Sequence, residues 1–179
     1  MRKLVLTLAA LTMALPAAAQ ERRTKIGIGI AIVPIETGNF ANRTIELYLP
    51  IQIAPQLRLE PSLGIATSSG PDGGTDTRDL TLGVGLFFVQ SVATPVDLYV
   101  GGRLKLNFAR VEQGAPGARV SNSGADVALA GALGGEYYLV PKFSIGLEGQ
   151  LGFYSNSSAS GDNSGVFTTG LAFLRLYFM

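Results

Sequence analysis

Hydrophobic residues recur with a period of two, connections alternate strictly between long and short, and strand charges keep to one face. Together these predict an all-β fold: an eight-stranded, antiparallel, up-and-down transmembrane β-barrel with its apolar side toward lipid. The composition agrees. Only 15% of the 179 residues are charged, against about 25% in ordinary soluble domains, and 23 are glycine. Cysteine and histidine are both absent. That excludes a disulfide framework, a thiolate metal site, a lipid-bearing N-terminal cysteine and the commonest general base. The net charge of +1 becomes −1 once Arg2 and Lys3 are set aside, so no basic excess points to nucleic acid.

Arg2 and Lys3 open a short basic segment, and Leu4 to Leu15 follow as an apolar core broken by two threonines. Pro16 and Ala17-Ala18-Ala19 then give the small-residue pattern of a signal-peptidase site before Gln20. Residues 1–19 are therefore expected to be a cleaved signal peptide and residues 20–179 the barrel domain. After Gln20 no apolar run reaches the roughly 18 residues of a membrane-spanning helix.

The strands follow in order. In Ile26-Gly27-Ile28-Gly29-Ile30-Ala31-Ile32 large apolar side chains take the even positions and the smallest residues the odd ones. The second strand sets Ile45, Leu47, Leu49, Ile51 and Ile53 against Glu46, Tyr48 and Gln52. The third opposes Leu57, Leu59, Leu63 and Ile65 to Arg58, Glu60 and Ser62, and the fourth Leu80, Leu82, Val84, Leu86 and Phe88 to Thr81, Gly83 and Gly85. The fifth carries Leu98, Val100, Leu104, Leu106 and Phe108 opposite Asp97, Tyr99, Arg103, Lys105 and Asn107. In the sixth, Val127, Leu129, Leu133 and Tyr137 face away from Asp126, Ala128, Ala130, Ala132 and Glu136. The seventh opposes Phe143, Ile145, Leu147, Leu151 and Phe153 to Ser144, Glu148 and Gln150. The last sets Val166, Ala172, Leu174, Leu176 and Phe178 against Phe173, Arg175 and Tyr177. Most can supply the roughly 9–11 residues of a tilted membrane strand.

Four connections, Pro34–Arg43, Thr67–Thr77, Val111–Ser123 and Ser155–Gly165, are long and polar, while Ala54–Gln56, Ser91–Pro95 and Leu139–Lys142 are short. An outer-membrane meander has this form, with long loops outside and short turns in the periplasm. Both termini on the turn side require an even number of strands.

A soluble barrel with an apolar interior shares the period, so the choice of face needs its own evidence. Ten strand charges, Glu46, Arg58, Glu60, Asp97, Arg103, Lys105, Asp126, Glu136, Glu148 and Arg175, oppose a stripe that carries none. A single Lys or Arg on a lipid face near the midplane would cost about 2–4 kcal/mol. Glycines at 27, 29, 83, 85, 101, 146 and 152 share the charged face, as a narrow interior requires. Phe88, Tyr137, Phe143 and Phe178 would ring the periplasmic rim, and Phe108 and Phe153 the outer one.

The chain resembles small outer-membrane β-barrel proteins of the OmpA transmembrane-domain, OmpX and opacity-protein type. The resemblance covers essentially all of the chain after the leader and is carried by the pattern, by the strand-turn-strand Gly134-Gly135-Glu136-Tyr137-Tyr138-Leu139-Val140-Pro141-Lys142-Phe143, and by the C-terminal segment Gly170 to Met179. It implies an assembly signal at Gly170, Phe173, Leu176 and Phe178, insertion by the outer-membrane barrel-assembly machinery after escort by periplasmic chaperones, and contact with the lipid bilayer and lipopolysaccharide. The family signal usually ends on its aromatic residue, whereas Met179 follows Phe178 here. The peptidoglycan-binding module of OmpA-like proteins is expected to be absent after Met179. Pro50 and Pro61 nearly face each other across the Pro55 turn and each lacks a ladder donor, so a bulge is expected in that hairpin.

An eight-stranded interior is just wide enough for side chains to fill, and six acids with four bases there are expected to form a hydrogen-bonded ion-pair network that plugs it. Membrane-barrel hydrolases built on a catalytic histidine are excluded, and no carboxylate pair or Ser/Lys site is marked out. Asp72, Asp76 and Asp79 lack calcium-loop spacing and read as a solvated acidic loop. Asn42-Arg43-Thr44 and Asn156-Ser157-Ser158 fit a glycosylation pattern that a bacterial export route does not use. No catalytic residue, metal or cofactor is expected. The expected function is a non-enzymatic outer-membrane protein serving envelope integrity or surface interaction through its loops. The alternative is a narrow channel or transporter for small solutes.

Overall fold

The computed structural model describes residues 25–37, 45–71, 74–114 and 119–178. The expected leader at 1–19, Phe40 and Asn42-Arg43-Thr44 of the first loop, Asp72 and Met179 lie outside the described residues. Among the described residues nine strand segments run in chain order: β1 (Ile26–Thr37), β2 (Glu46–Tyr48), β3 (Ile51–Ala54), β4 (Leu57–Ser68), β5 (Thr75–Ala93), β6 (Val96–Gln113), β7 (Val120–Val140), β8 (Phe143–Ser155) and β9 (Ser164–Phe178). Every pairing is antiparallel, and β9 returns to β1 from Ile26↔Phe178 to Thr37↔Thr168, closing the ring. β2 and β3 both lie between β1 and β4, so they are two halves of one stave and the barrel has eight.

That stave was read from the sequence as continuous, and it is interrupted at Leu49 and Pro50. Pro50 has no N–H to give, but its carbonyl accepts from the Gly27 amide at 2.9 Å, and the Leu49 amide donates to the Pro61 carbonyl at 2.9 Å. The ring therefore stays closed across the break. The irregularity of register falls nearer the turn, between Gln52 and Ala54, and not at the prolines. Pro61 sits within an unbroken β4, opposite Val84.

The strands also run further than the sequence indicates. β1 continues through Pro34 to Thr37 by a bulge that sets Val33 and Pro34 against Leu171, which uses the missing N–H where the ladder is open. Residues expected as the second and third loops are paired from Ser68↔Thr77 and from Thr75↔Gln113 to Gln113↔Val120. Backbone pairing does not stop where lipid stops. Beyond the apolar belt Thr, Ser, Asn and Arg side chains occupy both faces, so the alternation vanishes while the ladder persists. In the fourth loop a 3₁₀ turn, Ser158–Ser160, ends on Gly161 and Asp162, both with left-handed backbone.

The faces sort cleanly. Outward residues such as Leu133, Leu147, Leu151 and Phe153 are more than 60% exposed, whereas Arg58, Glu60, Glu136 and Arg175 are at most 2% exposed. Phe88 pairs with Leu57, Tyr137 with Val96, and Phe143 and Phe178 sit at strand ends, all beside the short turns. Phe108 pairs with Leu80 toward the long loops, and Phe153 with Val166. Among the described residues no helix is long and apolar enough to cross a membrane.

The charged interior as candidate functional site

Alternation along each stave sends all ten of the charges singled out in the sequence into the barrel, where each is buried. Ion pairs join Glu46, Arg58, Glu60, Arg103, Lys105, Glu136, Glu148 and Arg175. At the centre three glutamates meet three arginines. Glu60 Oε1 lies 2.8 Å from Arg58 Nε and 2.7 Å from Arg175 Nη2, and its Oε2 lies 2.8 Å from Arg103 Nη2. Glu136 Oε2 receives Arg58 Nη1 at 2.7 Å and Arg175 Nη1 at 2.9 Å. Glu148 takes Arg103 in a two-pronged contact, Nε at 2.6 Å and Nη2 at 2.8 Å. Planar guanidinium groups suit such shared contacts because their donors are fixed in a fork.

Neutral donors complete the carboxylates. Tyr177 donates to Glu136 at 2.7 Å and Ser144 adds a second hydroxyl, while Tyr99 and Gln150 donate to Glu148 at 2.9 Å and 2.7 Å. Aromatic faces cover the cations: Arg175 lies 3.8 Å from the Phe173 ring centre, Arg58 4.6 Å from Tyr99, and Arg103 4.7 Å from both Tyr48 and Phe87. Gly101 makes room for this layer. A Cβ there would stand 2.0 Å from the Leu86 carbonyl and 2.7 Å from the Phe87 ring.

Toward the long loops, Lys105 pairs with Glu46, which also accepts from Tyr48. The two aspartates mark the ends. Asp97, at the turn end, accepts from Ser91. Asp126, at the loop end, accepts from Asn107 at 3.1 Å, from the amide and hydroxyl of Ser157 at 2.7 and 2.8 Å, and from the Ser160 hydroxyl at 2.6 Å. The three donors from Ser157 and Ser160 anchor the fourth loop to β7. Replacing Asp126 with alanine is expected to release that loop. Amide exchange at Ser157 and Asp162 should quicken about tenfold or more while the barrel stays folded. Unchanged exchange by NMR would show that the loop holds itself.

The acidic loop residues do not converge. Asp79 turns inward to Asn107 at 3.0 Å, while Asp76 accepts from the Gly70 amide and from Arg119, whose hydrogen bond holds its carboxyl below the usual range. No metal-holding group of three or more acidic residues occurs among the described residues. Sequence reasoning did not assign Phe87, Val89, Leu171 or Phe167 to the interior, although the outward phase of Phe88 carries the signal for Phe87. The proposed assembly residues divide: Phe173 is buried inside, Leu176 and Phe178 are exposed opposite Ile28 and Ile26, and Gly170 pairs with Gly149.

A closed antiparallel ring with an apolar exterior and a charged interior defines an integral membrane β-barrel. The chain belongs to the outer membrane protein beta-barrel domain family, which matches residues 4–173. The protein is thus a bacterial outer-membrane β-barrel protein. No match is found among curated proteins. Among solved structures it is similar to Neisserial surface protein A, with 17% identity over 87% of this chain and 96% of the other and a TM-score of 0.57. It is similar also to the N-terminal barrel of Pseudomonas aeruginosa OprF, with 10% identity, coverage of 87% and 100% and a TM-score of 0.53. A third is the attachment invasion locus protein Ail of Yersinia pestis in complex with the heparin analogue sucrose octasulfate, with 18% identity, coverage of 86% and 95% and a TM-score of 0.50.

Proposed function

We propose that this protein is a non-enzymatic envelope component whose lumen is plugged and whose loops meet the surroundings of the cell. One observation carries the plug: Arg58, Glu60, Arg103, Glu136, Glu148 and Arg175, from five staves, interlock across the middle of the barrel with charges that balance. In so narrow a cylinder, the pairs that join different staves, such as Arg58–Glu136 and Arg175–Glu60, act as bars across the lumen. The Asp126-anchored fourth loop adds a cover at the outer mouth. Export through the leader, escort by periplasmic chaperones and insertion by the assembly machinery through Gly170, Phe173, Leu176 and Phe178 belong to the same reading. So does a role at the surface, the setting in which Neisserial surface protein A and Ail are named.

A second reading, a narrow channel for small solutes, draws on two buried nitrogens. Arg58 Nη2 and Arg103 Nη1 have no hydrogen-bond partner among the described residues and could line a thread of water. Planar-bilayer recording separates the two. The plugged barrel is expected to give a heat-modifiable band on gels and no resolved single-channel steps in molar salt. Regular steps that disappear on blocking the mouth would establish the channel.

A further inference from the structure

Immediately above the apolar belt, β5 and β6 set Arg78 and Arg110 directly opposite each other. Their direction follows from their neighbours. Leu80 and Phe108, the outward pair just below, are exposed on the lipid face, whereas the intervening Asp79 turns inward to Asn107. Both arginines are exposed. Like charges directly opposite on adjacent strands destabilise a sheet, so the placement calls for an anion. The neighbouring acids supply only part of it. Glu112 lies 2.9 Å from Arg110, and Asp76 is engaged by Arg119. Arg78 makes no ion pair of its own among the described residues, although its charge reaches the Asp76 carboxylate that Arg119 holds.

We propose that Arg78 and Arg110 form a clamp for the phosphate of an outer-leaflet lipid. Two guanidinium groups side by side present parallel donors to phosphate oxygens. The height fits as well. One outward row below the pair begins an unbroken apolar column, Leu80, Leu82 and Val84 on β5 beside Phe108, Leu106 and Leu104 on β6. A ligand with a phosphate above and acyl chains beneath matches both parts, and free phosphate matches only the first. The clamp rests on the outer-membrane placement of this face and gives the envelope role a particular lipid contact.

The test compares retention of bis-phosphorylated lipid A with that of the same lipid after dephosphorylation. Both are incorporated in phosphatidylcholine vesicles with the full-length protein and counted by mass spectrometry after detergent exchange. The unaltered protein is expected to favour the phosphorylated form about tenfold, the scale of one or two charge-assisted hydrogen bonds. The double variant R78Q/R110Q should lose that preference while keeping its heat-shifted band. Equal retention of both lipids, or a preference that survives in the double variant, would overturn the clamp. Displacement of lipid A by millimolar inorganic phosphate would make it a free-anion site, and displacement by a sulfated oligosaccharide would make it a glycan site; either overturns the lipid assignment. Absence of a heat shift in the unaltered protein would instead count against the barrel in membranes.

Discussion

Glu60→Ala is expected to destabilise the folded barrel by about 3–5 kcal/mol, the cost of leaving a buried charge without its partner. Glu60 is fully buried, and its two oxygens touch Arg58, Arg103 and Arg175. Its removal leaves three guanidinium groups facing Glu136 and Glu148 alone, one uncompensated positive charge among buried side chains. The loss should appear as an earlier urea midpoint for the vesicle-inserted protein, followed by the heat-shifted band. The coupling has a sharper signature. Removing Arg103 together with Glu60 should cost less than the two single losses added, because the second deletion relieves the imbalance made by the first. Additive losses, or a Glu60→Ala penalty below about 1 kcal/mol, would mean that water already screens the network, and the plug would fall with it.

The same network shows how far sequence reaches. The inward phase of Glu46, Arg58, Arg103, Glu136 and Arg175 was legible because each sits between outward apolar residues on a half-buried strand. Their partners were not. Arg58 meets Glu136 and Arg175 meets Glu60 only because the ring closes β9 onto β1, a relation between staves far apart in the chain. The aromatic covers of the arginines were half legible: Tyr48, Tyr99 and Phe173 lie in phase with the charges, but nothing local says that a ring will come to lie beside a guanidinium. Alternation also ends at the edge of the belt. Thr75, Asp76 and Thr77 therefore read as loop, although they pair with Gln113, Glu112 and Val111. Asp126 carried no sign of the loop it holds, since Ser157 and Ser160 reach it through a turn whose shape depends on Gly161 and Asp162.

Leu104→Arg should cost about 2–4 kcal/mol, and the depth dependence of that cost tests which medium the outer face meets. Leu104 is exposed, near the middle of the outward series from Leu98 to Phe108, and sits between Val84 and Leu129 on the neighbouring staves. In a bilayer this is the position where a guanidinium is furthest from either headgroup layer. The same substitution at Phe108, one row below Arg110, lies where an arginine can reach phosphate and should cost about 0–1 kcal/mol for the charge itself. A penalty that peaks at Leu104 and declines toward both Leu98 and Phe108 belongs to a lipid-facing wall. In a barrel whose apolar side formed a packed core, the cost would follow the crowding of each site and not its height. Measured by urea unfolding in vesicles, a profile flat along β6 would therefore turn the barrel inside out, and with it the reading of the charged interior and of the arginine pair above the belt.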